Sequence, residues 1–492
     1  MTDWIGETFT SDAGWNHLLD LVDVGDRMAG SPGEREALAL TRDAFADAGA
    51  RNAAVEEFEI QGWERGDSAV REAATDEPVA VGPNACIALP RSPSAEVTGE
   101  FVDLGHGVPA DFEADLEGKV VMVSSDTPDA VDRFIHRREK YYRAVDAGAA
   151  AFVFANHVEG TLPPTGSVGT AEAPVGAIPA VGVSKEAGAR LARRREGDDL
   201  TVAVDCETPT ATSGNAVAEL GPDTDEHLLV SSHVDAHDIA EGAMDNGAGT
   251  ATIVEVARAL AAREGELDVR VRFAAFGAEE VGLVGSSVAA EAADREAVRA
   301  VVNVDSNVFG RTLRLDHHDF DALAAAADRV SDRFDHPIAT GSELVPHSDH
   351  WPFVKRGIPG YMVSGETEGR GRGWGHTHAD TLDKLESRNL REQAILLTEL
   401  VVELADADAS IPTDDGLYRI WREDEELPLE YIGQSSNLKS RLYRHRRNRD
   451  EALLFSYSEL GEHDAQHKRE EVETELIGVH WLEIGASPRD QF

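Results

Sequence analysis

Between residues 228 and 363 four apolar runs of buried-strand length recur with helical sequence between them: 228–231, 269–276, 298–304 and 359–363. A half-exposed strand alternates polar and apolar residues, whereas near-continuous runs need apolar partners on both faces, as in a parallel sheet covered by helices. Between the first two runs, Ile253, Val256, Ala257 and Leu260 give the i, i+3, i+4, i+7 stripe of a helix laid on such a sheet. The pattern predicts a mostly parallel, three-layer α/β domain, with ligands beyond the carboxyl ends of its strands.

The remaining sequence divides around that domain. Trp15, Leu18, Leu19 and Val22 are spaced for a helix, residues 34–48 for a second, and 55–60 alternate as a strand. From 84 to 207 short β-like runs (99–104, 119–123, 150–154 and 200–204) lie between Pro/Gly-rich loops, with one helix near 138–147, which predicts a β-rich insert. The expected organisation is α/β sequence over 1–83 and 208–405 flanking the insert over 84–207, then a linker over 406–415 and a small α+β unit over 416–492. No internal repeat is visible.

The donors of chemistry fall where the α/β pattern would gather them. His233 and Asp235 follow the first run, and Asp245 stands at the entrance to the striped helix. Glu279 and Glu280 follow the second run, Asp305 closes the third, and His376 and Asp380 sit in a late Gly-rich loop. Chance explains one such cluster in an acidic chain but explains five at one end of a sheet poorly. Imidazole and carboxylate without thiolate is the donor set of a catalytic zinc-type site, and two His with three carboxylates suffice for two cations about 3.5–4 Å apart sharing one carboxylate.

This run of motifs resembles the dinuclear zinc exopeptidases, the family of leucyl aminopeptidases and glutamate carboxypeptidase, over roughly 12–404. The resemblance implies a phosphorylase/hydrolase-like fold and a metal-dependent exopeptidase, an aminopeptidase first, with a peptide substrate. It implies that His233, Asp245 as the bridge, Glu280, Asp305 and His376 hold two zinc ions, for which cobalt or manganese can stand in. Asp235 would orient His233, and Glu279 would act as general base. Asp380 completes a His-Thr-x-x-Asp-Thr pattern that selects His376 over the alternative, His378. Ser348 matches a serine near the oxyanion, but Val345 stands where an aromatic donor is expected. His237, His317 and His318 match no position and are expected to be solvated or to neighbour the ligands.

Gly118-Lys119-Val120-Val121-Met122-Val123, Asp146-Ala147-Gly148 and Ile178-Pro179-Ala180-Val181 make residues 84–207 resemble a protease-associated domain, which implies a cleft wall, a gate or a plain lid. At the other end, Gly416-Leu417-Tyr418, Tyr431-Ile432-Gly433, Arg441, His445 and Glu473 resemble the GIY-YIG nuclease domain. That likeness implies Mg2+ or Mn2+ on Glu473 and a nucleic-acid partner, although Gln491 replaces the usual Asn and residues 423–426 are acidic. An alternative function follows, in which the appendage acts on nucleic acid and the peptidase half is a scaffold. A non-catalytic, receptor-like member is disfavoured by the complete ligand set.

Composition constrains the setting rather than the chemistry. In 492 residues, 92 Asp+Glu against 46 Lys+Arg leave a net charge of −46, spread along the chain, and only 7 of the 46 cations are lysine. Dispersed carboxylates with scarce lysine match proteins of salt-in halophiles and disfavour nucleic-acid affinity for the chain as a whole. The contrary spot is 439–449, with six Lys+Arg and no acid. Two cysteines exclude a disulfide scaffold and a thiolate zinc site. No stretch reaches the ~18–20 apolar residues of a membrane helix. Residues 1–7 contain neither a basic nor an apolar run, so a cytoplasmic chain is expected. Oligomeric state is open.

Overall fold

The computed structural model describes residues 3–131, 133–170, 173–366 and 373–406, followed by the strands Gly416–Arg422, Leu429–Ser435 and Leu453–Glu459. Arg441, His445, Glu473, the basic run 439–449 and most of the expected linker lie outside the described residues, as does the side chain of Tyr418.

The catalytic domain is built on an eight-stranded sheet whose spatial order is 51–61, 210–220, 270–276, 227–233, 298–304, 360–365, 313–316 and 339–341. The four strands expected from the apolar runs, His227–His233, Arg270–Phe276, Val298–Val304 and Gly360–Gly365, form its parallel centre. Both faces are covered. Leu228 and Val230 point into a core shared with Ile253, Val256 and Leu260 of the helix Ala248–Ala261, while Leu229 packs on the opposite face with Phe276, Val301 and Phe353. That double burial explains why the sequence shows runs rather than alternation.

The insert leaves and rejoins through neighbouring antiparallel strands. Arg51–Gln61 pairs with Thr210–Leu220, Gln61 lies opposite Thr210, and the Gly62 amide donates to the Pro209 carbonyl at 2.9 Å. Between those ends, eight strands form a second sheet in the order 78–81, 64–72, 199–207, 95–103, 120–124, 151–155, 180–183 and 86–88. The expected start of the insert at 84 is therefore too late, since Glu64–Glu72 and Pro78–Val81 belong to this sheet. Polar residues over 64–68 mask the alternation there, because this end of the strand is largely solvent-facing.

The three C-terminal strands form a separate antiparallel sheet with Gly416–Arg422 in the middle. It contacts the catalytic domain through Arg419, whose guanidinium donates to the Val354 carbonyl at 2.7 Å and lies 5.0 Å from the Trp351 ring centroid. Among the described residues no helix is long and apolar enough to cross a membrane.

Candidate metal centre

The strand ends bring the expected donors together in two adjoining groups. His233, Asp245 and Asp305 form one; Glu280 and His376 form the other, joined by His237. Asp245 connects them. Its Oδ1 lies 3.2 Å from His233 Nε2 and its Oδ2 lies 3.1 Å from His376 Nε2. Asp305 Oδ1 is 3.7 Å from His233 Nε2, and Glu280 Oε2 is 3.4 Å from His376 Nε2. His376 rather than His378 thus meets the carboxylates.

The donors fit two divalent cations. His233 Nδ1 lies 3.1 Å from the Asp235 carbonyl. A carbonyl can only accept, so Nδ1 carries the proton and the Nε2 lone pair faces Asp245 and Asp305. Glu280 Oε1 is buried without a hydrogen-bond partner, a state that costs about 1–3 kcal/mol unless something else satisfies it. Burial works against charge on His233, but Glu279, Asp235, Asp245 and Asp305 outweigh it and raise its proton affinity well above the ordinary value. A field that holds a proton this firmly also draws a dication.

The carboxylates respond individually. Burial, opposed by His376 and reinforced by Asp245, pushes Glu280 up to about 8. Burial also raises Glu279 well above the usual carboxylate range against the pull of His233, with Glu280 and Asp349 adding to the rise. Burial would raise Asp245 too, but its contacts with His233 and His376 hold it far below the ordinary value.

Two carboxylates outside the ligand groups fix the ligand loops. Asp235 accepts the backbone N–H groups of Glu279 at 3.0 Å and Glu280 at 3.1 Å. Its contact with the His233 ring is longer, 3.6 Å, so orienting His233 falls to its carbonyl. Asp380 similarly accepts the N–H groups of Met244 at 2.7 Å and Asp245 at 3.0 Å. Ser348, expected beside the oxyanion, is buried and donates to Asp305 Oδ2 at 2.6 Å while accepting from Asn303 Nδ2 at 2.8 Å. Its hydroxyl proton is thus committed to Asp305, with none left for an oxyanion. Ala278, Ser306 and His376 adopt left-handed φ beside the ligands, the backbone strain that functional sites concentrate.

Sequence reasoning missed two supports. Arg27, fully buried, donates to the carbonyls of Leu21, Val234, Glu241 and Gly242, bracketing the His233 and Asp245 loops. Glu34 accepts from Gly30 N at 2.6 Å, Ser213 Oγ at 2.8 Å and Ala278 N at 2.9 Å, tying the first turn of the helix Pro32–Asp47 to the Glu279 loop. Of the rings expected to be solvated or to neighbour the ligands, His237 lies beside Glu280 and His376, and His318 is buried. His237 is 5% exposed, and burial aided by Arg137 pushes it down to about 3. His318 stacks on His350 with centroids 4.8 Å apart.

The site opens onto a cavity of about 440 Å³ lined by His233, Glu279 and His376 on one side and by Phe134, His136 and Arg138 of the insert on the other. His136 stacks on His347 across that boundary with centroids 4.4 Å apart. The insert also buttresses the candidate site: the Thr165 amide donates to the His376 carbonyl at 2.8 Å.

The fold and these groups define an α/β protein with two adjoining cation positions at the carboxyl ends of its strands. The sequence pattern of peptidase family M28 matches residues 215–401, and that of the PA domain matches residues 75–191. Aminopeptidase YwaD of Bacillus subtilis is 30% identical over 325 residues, 62% of this chain and 67% of that protein. An aminopeptidase from Aneurinibacillus sp. strain AM-1 is 27% identical in sequence and superposes with a TM-score of 0.63, covering 84% of this chain and 97% of its own. The fold is also that of a zinc aminopeptidase from Bacillus subtilis, with a TM-score of 0.65 at 24% identity, over 82% of this chain and 98% of that one. The chain belongs to peptidase family M28.

Proposed function

We propose that the chain is a two-cation aminopeptidase that removes residues from the free amino end of a peptide. The observation that carries this reading is Asp245, with one oxygen toward His233 and the other toward His376. The aminopeptidases at 30% and 27% identity support it. His233, Asp245 and Asp305 would hold one cation, and Asp245, Glu280 and His376 the other, with zinc suited to this donor set. The chemistry a bound cation pair supplies is Lewis acidity toward a water and the scissile carbonyl.

The protein's own contribution centres on Glu279. Its proton affinity is raised by burial, which suits a base that takes a proton from water and passes it to the leaving amine. Asp235 fixes its backbone, and Phe134 and His136 of the insert line the cavity in front of it. Dispersed surface carboxylate supports work in multimolar salt. In multimolar KCl, leucine p-nitroanilide should be hydrolysed, the rate should vanish with a chelator, and zinc or cobalt should restore it. The N-acetylated substrate should be inert; equal cleavage of it, or trimming of a peptide from its carboxyl end, overturns the amino-end reading.

The C-terminal unit supports a second, separate reading as a GIY-YIG-like nucleic-acid module. The Gly-Leu-Tyr and Tyr-Ile-Gly motifs lie on adjacent antiparallel strands, Tyr418 opposite Gly433 and Ile420 opposite Tyr431. Nicking of nucleic acid with Mg2+ or Mn2+ that persists unchanged in Arg441→Ala would dismiss it.

A further inference from the structure

Neither ring nitrogen of His237 has a hydrogen-bond partner among the described residues, although the residue is only 5% exposed. Leaving a buried polar group in that state costs about 1–3 kcal/mol, and the peptidase reading gives this residue no role. Its Nε2 stands 2.9 Å from Glu280 Oε2, yet the approach is not aligned for a hydrogen bond. His376 Nε2 stands 3.4 Å from the same oxygen, and the two imidazoles meet edge to face with centroids 4.8 Å apart. Atoms that sit close without pointing at one another are characteristic of ligands that point at a common third atom. Around a tetrahedral cation with bonds of ~2.0–2.1 Å, neighbouring ligand atoms are about 3.3 Å apart.

We propose that His237 is a further protein ligand of the cation pair, on the side of Glu280 and His376. The proposal rests on the two-cation reading above. It gives that position four protein ligands (Asp245, Glu280, His376 and His237), while the position of His233, Asp245 and Asp305 keeps three. A cation held by four protein groups is closed in the manner of a structural site; one held by three keeps an open place for water or substrate. The two positions then differ in kind: the first holds its ion tightly and the second exchanges. The backbone at 237 is fixed for this role, because Arg65 at the start of the insert's sheet grips the next residue, Asp238, with hydrogen bonds of 2.7 and 2.6 Å.

Two measurements test it. In zinc-loaded crystals of the wild-type protein a ring nitrogen of His237 should lie within about 2.3 Å of a cation; a separation beyond about 3 Å overturns the proposal without any variant. In solution, chelator-stripped protein titrated with Co2+, followed by calorimetry and visible absorption, should fill in two steps. In His237→Ala the tighter step should weaken at least tenfold, the loss expected even of groups one shell further out, while the weaker step stays in place. Should stripped His237→Ala melt well below stripped wild type, His237→Gln replaces it and must show the same loss. Both steps unchanged would sink the proposal and leave the two-cation reading standing. Wild-type protein that takes up no second cobalt would overturn both.

Discussion

Asp235 binds the backbone of Glu280 rather than a ligand side chain: its Oδ2 accepts the Glu280 amide at 3.1 Å while its Oδ1 accepts that of Glu279 at 3.0 Å. One carboxylate therefore sets the relative position of the candidate base and its neighbouring ligand. In Asp235→Asn one of those amides would face an NH2 group. A drop in kcat of about tenfold or more, with KM for leucine p-nitroanilide within threefold, is expected, since a displacement of ~1 Å in positioned groups has about a hundredfold effect. Unaltered kcat would show that the amides need no carboxylate.

Glu279→Gln preserves shape and removes the base. The rate should fall about 10²–10⁴-fold, while cobalt uptake by the stripped protein stays as in wild type. A rate within about threefold of wild type would remove Glu279 from the reaction.

Arg27 is a stability prediction. Its guanidinium satisfies four carbonyls and faces Asp380, Asp235 and Asp245 from a distance. Arg27→Met should cost about 3–5 kcal/mol in chemical denaturation, because four carbonyls lose their donor and the carboxylates lose a nearby buried cation. Arg27→Lys should recover part of that loss but not all, since three donors on a point charge cannot reproduce the planar fork.

His17 gives the pH dependence. Burial, with a contribution from the Arg27 cation, pushes its imidazole down to about 4. The unfolded chain takes up this proton near pH 6.5 and the folded chain only near pH 4, so between those values the unfolded state holds more protons. Stability therefore falls as pH drops through that window, by about 3 kcal/mol for this residue alone. Urea denaturation at pH 7 and pH 4 should show a smaller loss in His17→Gln than in wild type. Identical losses would assign the acid sensitivity to other groups.

The central strands and the ligand cluster were legible in the sequence because both leave periodic or positional traces. Residues 298–304 read as a buried strand because both faces are covered, and Asp305 stood out as a candidate donor because it ends that strand. Arg27 and Glu34 left no such trace. Each acts through long-range hydrogen bonds that exist only once the chain has folded, and a lone Arg or Glu in an acidic sequence looks like surface. His237 matches no family position, so the sequence leaves it either solvated or beside the ligands, and only the folded chain places its ring against Glu280. Ser348 shows the converse limit: motif matching located it, and only the structure shows its hydroxyl committed to Asp305.

The neck at Gly62 and Pro209 bears on the order in which the molecule assembles. Gln61 and Thr210 are opposite one another in the edge pair of the catalytic sheet, so an unfolded insert would make their pairing a loop closure costing about 4 kcal/mol in chain entropy. Once the insert has folded, its two ends emerge side by side and the same pairing resembles the closing of a hairpin. Formation of the catalytic sheet's outer edge is thus coupled to the earlier or simultaneous folding of the insert, and a lesion in the insert's core would delay maturation of the peptidase half without touching any of its residues.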